Sequence, residues 1–316
     1  MIRVVAATLA LVFLAGMVMA QDTADRVRAA WEGWRAEHGD QTAPLVLLDR
    51  GEPILRVGDV AEPRELLASN GKVITALCID ALAVEGRLRF DQGLPELLGR
   101  AAPDATLGEL ITHSGGLRPD ETQRGRMFWW LYRTAPRHAQ VTDWVIARGP
   151  AGAKTHFYNN ENYALLGEVI ARVTGAPYAE VCRRRVLDPL DLTAALSPVT
   201  GALGPWGGWR MSTEDYARFH WATFGANARI GADPFAWPHV RIGPGVYYGM
   251  GALFRTEPVA AFWHAGALNF VLGPRLGAFA ITWDARWTVA VAHRGFADDD
   301  AILSLVRQLA AALRIG

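Results

Sequence analysis

Leu66-Leu67-Ala68-Ser69-Asn70-Gly71-Lys72, running straight on into Val73-Ile74-Thr75-Ala76-Leu77, is the stretch on which the fold turns. From residue 69 to 85 the apolar residues Val73, Ala76, Leu77, Ala81 and Val84 recur at spacings of three and four. That period predicts one long helix, with Gly86 as its C-terminal stop. Ser69 falls in the first turn, near the free N–H groups of a helix start. Lys72 lies one turn on and on the same face. A lysine taken out of water gives up its charge more easily, and its neutral amine is a usable base for a serine hydroxyl. So short a motif also fits a capping serine beside a lysine lying along apolar surface. Composition sharpens the catalytic reading: the 32 lysines and arginines include only two lysines, Lys72 and Lys154.

Working outward, residues 44–48 and 54–57 read as two short strands joined by the polar turn Arg50-Gly51-Glu52, and residues 24–37 as an amphipathic helix before them. The middle of the chain is punctuated by Pro and Gly and reads as helices at 107–112, 124–132, 141–147, 163–173 and 178–186. A further helix at 213–224 has Ser212 or Thr213 as its cap. The last third turns β-rich, with runs at 247–254, 260–264, 278–283 and 288–293, then a closing amphipathic helix at 301–313. The predicted fold is α/β of the α+β kind. An antiparallel sheet built from both chain ends is flanked by helices, an all-helical lobe is inserted, and a cleft lies between the lobes. The sheet lobe takes residues 21–65 and 200–316, and the helical lobe residues 66–199.

The chain has 316 residues, 51% of them hydrophobic, enough for one large globular unit. Its formal net charge of zero argues against a nucleic-acid partner or an anionic membrane surface. Residues 1–20 read as a signal peptide: Arg3, an apolar run from Val4 to Val18, and a small-residue cleavage site after Ala20. A retained anchor is the alternative, although the run is short for a bilayer span. The expected location is periplasmic or secreted, with no membrane span once the signal is removed. Cys78 and Cys182 sit among helix-patterned apolar residues, which predicts two buried thiols; export leaves a disulfide possible. No Cys/His cluster has metal-ligand spacing, so no metal or other cofactor is expected.

Two more segments offer chemistry. Phe157-Tyr158-Asn159-Asn160 presents a tyrosine able to act as phenolate or to relay the serine's proton, and an asparagine amide able both to donate and to accept. Trp263-His264-Ala265-Gly266-Ala267 places a histidine at a strand edge beside a glycine that admits a substrate backbone. Read alone, each is equally an aromatic plug with capping asparagines, or a core histidine. Ser114 in Thr112-His113-Ser114-Gly115-Gly116 is a rival nucleophile, but it lacks the first Gly of a nucleophile elbow and a preceding strand, and reads as a tight turn.

Taken in order, these segments resemble the serine β-lactamase and DD-peptidase superfamily, and within it the class C β-lactamase-like group of DD-carboxypeptidases, family VIII esterases and D-amino-acid amidases. That group's pattern is Ser-x-x-Lys, Tyr-x-Asn and His/Lys-x-Gly. Four further stretches are similar to the family's: Glu85-Gly86-Arg87-Leu88-Arg89-Phe90-Asp91, Leu110-Ile111-Thr112-His113-Ser114-Gly115-Gly116-Leu117, Tyr163-Ala164-Leu165-Leu166-Gly167, and Gly207-Gly208 through Ser212 to Phe219. The resemblance covers almost the whole chain after the signal. It implies Ser69 as nucleophile, Lys72 and Tyr158 as the proton-transfer pair, Asn160 and His264 as substrate-orienting groups, and the N–H groups of Ser69 and Ala267 as oxyanion hole beside Gly266.

The third motif departs from relatives that carry His-Thr-Gly-Thr or Lys-Thr-Gly-Ser, whose hydroxyls help hold a substrate carboxylate. Ala265 and Ala267 have no such donor, and Leu268-Asn269-Phe270 replaces the usual Gly-rich stretch. A charge-assisted hydrogen bond is worth on the order of 1.5–3 kcal/mol. Esters or small amides are therefore the expected substrates, cleaved through an acyl-enzyme. Ranked after them are peptidoglycan D-Ala-D-Ala ends or D-amino-acid peptides, then β-lactams. A catalytically weak penicillin-binding sensor is the reading from another class. Arg275 and Arg286 are candidates for a replacement carboxylate anchor. The aromatic run Met127-Phe128-Trp129-Trp130-Leu131-Tyr132 is expected in the core, with an acyl pocket as its alternative.

Overall fold

The computed structural model describes residues 2–38, 43–62, 65–122, 127–149, 152–268, 276–294 and 299–315. Its helices are α1 (Ile2–His38), α2 (Lys72–Val84), α3 (Leu94–Leu98), α4 (Leu107–Ile111), α5 (Met127–Trp130), α6 (His138–Arg148), α7 (Asn160–Thr174), α8 (Tyr178–Cys182), α9 (Thr213–Phe224), α10 (Arg229–Ala232) and α11 (Asp299–Leu313). Its strands are β1 (Leu45–Asp49), β2 (Glu52–Val57), β3 (Glu65–Leu66), β4 (Ala194–Leu196), β5 (Trp209–Met211), β6 (His239–Gly243), β7 (Val246–Gly249), β8 (Ala252–Arg255), β9 (Ala261–Leu268), β10 (Leu276–Trp283) and β11 (Trp287–Arg294).

Eight strands form one antiparallel sheet in the order β2-β1-β11-β10-β9-β8-β7-β6, so both chain ends meet at the β1–β11 pair. Strand alternation explains why the sheet separates two cores. Leu45 and Leu47 of β1, with Phe279, Ile281 and Trp283 of β10, face α1 and α11 and pack on Trp31, Trp34, Leu305 and Leu309. Val46, Leu48, Ala278 and Ala280 face the other way, into the larger core shared with α2, α7 and α9. With both faces covered, β1 reads as the unbroken apolar run Leu-Val-Leu-Leu rather than an alternating one.

The α+β architecture with a helical block between the two sheet-forming ends is as expected. Several details differ. The predicted run at 247–254 is two strands, β7 and β8, turning at Gly249-Met250-Gly251; Met250 (φ 50°) and Gly251 (φ 83°) are both left-handed there. The strand expected at 260–264 is longer, because pairing with β10 continues to Leu268. The three-stranded sheet β3-β5-β4 and the edge strand β6 carry too few residues to give a periodic signal. Residues 69–71 belong to a 3-10 turn, Ala68–Gly71, and the α-helix proper begins at Lys72.

Two further expectations are corrected. Cys78 on α2 and Cys182 on α8 are not free thiols: they form a disulfide with their Cα atoms 5.2 Å apart, because the two helices pack side by side in one core. The aromatic run is only partly core. Trp130 is buried and stacks on Trp144, whereas Trp129 and Tyr132 are exposed.

Candidate active site

The nucleophile's turn is held from three sides. Ala68, buried, takes a left-handed φ of 46°, a conformation that costs an alanine free energy unless packing enforces it. Asn70, fully buried, donates from Nδ2 to the carbonyl of Ala278 on β10 at 2.7 Å and so ties the turn to the sheet. Gly266 of β9 lies against the same turn, where only glycine leaves room for the backbones to approach. Between them Ser69 stays partly exposed at the cleft.

Lys72 is completely buried. Its Nζ lies 3.1 Å from Ser69 Oγ and donates to the carbonyl of Trp206 at 2.9 Å. Burial lowers its pKa to about 7, against a smaller opposing pull from the Asp120 carboxylate. About half of the amine is then neutral at pH 7 and can take up a proton. Trp206 sits in the Gly-rich turn before Gly207-Gly208, and Trp130 packs edge-on against its ring at 6.1 Å. The aromatic run thus braces the carbonyl that orients the lysine.

Tyr158 stands beside the same two residues. Its hydroxyl bonds Ser69, and Lys72 Nζ lies 4.9 Å from its ring centre. The ring keeps 36% of its surface open to the cleft. Its hydroxyl end sits inside, and that burial pushes the phenol well above its ordinary range. In that environment the phenol holds its proton at neutral pH, which favours the relay alternative over the phenolate one.

His264 is buried on β9, and its Nδ1 meets the carbonyl of Ala265 at 2.9 Å. A carbonyl can only accept, so Nδ1 carries the proton and Nε2 is a bare acceptor. Nε2 has no partner among the described residues. Burial, with the Lys72 charge second, lowers the His264 pKa to about 3, so the ring is uncharged. Ala265 and Ala267 are exposed on the opposite side of the strand from His264 and Gly266. β8 pairs only as far as Trp263, which leaves the 264–268 half of β9 with β10 on one side and an unpaired edge on the other.

Asn160 is the first residue of α7. Its Nδ2 donates to Thr122 Oγ1 at 3.2 Å and its backbone N to Asp120 Oδ2 at 3.0 Å. Its side-chain oxygen is buried and has no partner among the described residues. The helix cap itself is Asn159, whose Oδ1 accepts from Glu161 N. Ser114 sits in a tight turn. Its hydroxyl is paired with Thr112 Oγ1 at 2.7 Å in a turn where His113 has a φ of 57°. The His113 ring is engaged by the Asn159 backbone and Tyr248.

Sequence reading missed Trp206, Asp120 and Tyr248. Tyr248, buried, contacts the rings of His113, Tyr158 and His264. None of the three carries a motif of its own: Trp206 contributes a backbone carbonyl, Asp120 sits in a loop, and Tyr248 is one residue of the short strand β7. Of the proposed carboxylate anchors, Arg286 is spent on a two-point pair with Asp49. Arg275, like Asn269 and Phe270 of the altered stretch, lies outside the described residues. Among the described residues no cluster of His, Cys, Asp and Glu could hold a metal ion.

Comparison with known proteins gives the family. Residues 62–312 match the family model described as Beta-lactamase. A teichoic acid D-alanine hydrolase of Staphylococcus aureus is 28% identical over 134 residues, 40% of this chain and 31% of the relative. Penicillin-binding protein 4 of Amycolatopsis lactamdurans is 30% identical over 142 residues, 41% of this chain and 35% of the relative. This chain therefore matches about a third of the length of these curated relatives. Among solved structures, a beta-lactamase/D-alanine carboxypeptidase from Yersinia pestis superposes with a TM-score of 0.75 at 18% identity, over 92% of this chain and 98% of the other. With a family model spanning most of its length and a Ser69–Lys72–Tyr158 cluster in the expected cleft, this chain belongs to the beta-lactamase family of serine hydrolases.

Proposed function

We propose that the protein is an exported hydrolase of esters or small amides that works through an acyl-enzyme on Ser69. The observation that carries the reading is the buried Lys72 amine, 3.1 Å from Ser69 Oγ and with its pKa lowered to about 7. Neutral Lys72 takes the Ser69 proton as Oγ bonds to the substrate carbonyl carbon. The Ser69 and Ala267 N–H groups hold the resulting oxyanion. When the bond to the leaving oxygen or nitrogen breaks, Tyr158 hands that atom a proton, replaced from the Lys72 ammonium. Water then cleaves the acyl-enzyme and returns a proton to Ser69 Oγ.

Uncharged substrates are favoured because the third motif offers nothing to an anion beside the scissile bond. His264 is uncharged, with its Nε2 buried, and Ala265 and Ala267 present methyl groups. A carboxylate there would lose water without gaining a partner. Export is supported by the leader-like residues 1–20 and by the Cys78–Cys182 disulfide, which persists in oxidising compartments.

The test compares kcat/KM for a short p-nitrophenyl ester, nitrocefin and a D-Ala-D-Ala peptide. The ester is expected to lead, and Ala265→Thr with Ala267→Thr to raise the other two relative to it. A wild-type protein that cleaves the peptide best would make peptidoglycan carboxypeptidase the better reading.

A further inference from the structure

A cavity of about 700 Å³ opens from Ser69 and runs along the sheet to the inner side of α11. Leu253, Trp263, Trp283, Ile302 and Val306 make most of its wall apolar. Beside the reacting centre its lining takes in Tyr158 and His264, and leaves out Asn160 and Ala267. The cavity therefore reaches the reacting centre on its Tyr158 side, where a departing atom would take up a proton.

Among the described residues one charged side chain lines it, Arg255 of β8. Arg255 Nε donates to the carbonyl of Val259 at 3.2 Å, in the turn leading away from the catalytic end, and no carboxylate among the described residues pairs with the guanidinium. Other arginines here are matched: Arg286 with Asp49, Arg56 with Glu214, Arg148 with Glu161. Arg255 stands opposite Ala261, four residues of β9 from Ala265. At about 3.3 Å per residue that is roughly 13 Å of strand. This is too far to hold an anion next to the scissile bond, and it suits one carried at the far end of an apolar body.

We propose that this cavity is a leaving-group subsite for an apolar alcohol or amine that ends in an anion, carboxylate or phosphate, paired with Arg255. The inference rests on the hydrolase reading above and adds the class of its leaving group. It also reconciles the anion-indifferent third motif with a cation built into the same cavity: charge is read at a distance from the bond, where its pairing does not depend on Ala265 or Ala267.

The test uses esters of one short acid with alcohols whose apolar body carries, about 13 Å from the ester oxygen, a carboxylate, a phosphate or a neutral methyl end. The expected kcat/KM is roughly 10- to 100-fold higher for an anionic end than for the neutral one, and the ratio falls towards one in Arg255→Gln and less in Arg255→Lys. The ranking of carboxylate and phosphate identifies which anion the site takes. Binding of the free alcohols to the Ser69→Ala protein, followed by tryptophan fluorescence, reads the subsite without turnover. Anion-selective binding that needs Arg255, with no ester cleaved, would keep the subsite and overturn the ester reading. Equal binding of neutral and anionic alcohols, or selectivity that survives Arg255→Gln, would overturn the subsite.

Discussion

A methyl group placed on Gly266 would lie 3.0 Å from the backbone nitrogen of Ser69 and closer still to the carbonyl of Leu67. The third-motif strand and the nucleophile turn are thus in backbone contact, and the spacing of the two oxyanion donors depends on the absent side chain. Gly266→Ala should push β9 away from the turn. Losing one such donor typically lowers kcat by about 10²–10³. The expected result is a loss of that order with a small change in melting temperature, read by steady-state kinetics and calorimetry. Unchanged kcat would mean that Ala267 N–H does not serve the oxyanion.

Ser69→Ala should abolish turnover and covalent labelling by a fluorophosphonate while the far-UV circular dichroism stays native. Ser114→Ala should keep both activities, since that hydroxyl is tied to Thr112. Peptide mapping of the label decides between them. A labelled Ser114 would reverse the assignment.

Lys72→Ala and Tyr158→Phe should each slow acylation by roughly 10²–10⁴. Because both move the same proton, the double variant should cost far less than the product of the two. Single-turnover measurement of acylation checks this. Fully multiplicative losses would show independent roles.

The pH profile of kcat/KM should have an acidic limb near pH 7. Above that pH Lys72 is mostly the free amine and can act as base; below it the ammonium has no lone pair, and the rate falls as pH falls. Asp120 pulls the lysine pKa upward. Asp120→Asn should therefore move the limb to lower pH, beyond any uniform loss of rate that follows from loosening Asn160. A limb that stays put in Asp120→Asn would remove the carboxylate from the account of Lys72.

Much of this protein is legible in one dimension. The 3.6-residue period of α2, the strand runs near both ends and the Ser69-x-x-Lys72 spacing are local patterns, and they suffice for the α+β sheet and for the nucleophile with its base on one helical face. Other features have no local pattern. The β7–β8 split turns on left-handed residues inside a continuous apolar run. The Cys78–Cys182 bond joins residues 104 apart. The neutral states of Tyr158 and His264 come from what covers them. Trp206 offers only its carbonyl to Lys72, and Arg255 reaches the cavity from the end of β8 that pairs with Ala261. Residue type and spacing decided which groups could react. Burial and backbone approach, which exist only once distant segments pack, decided their charge, their partners and the side from which a substrate is read.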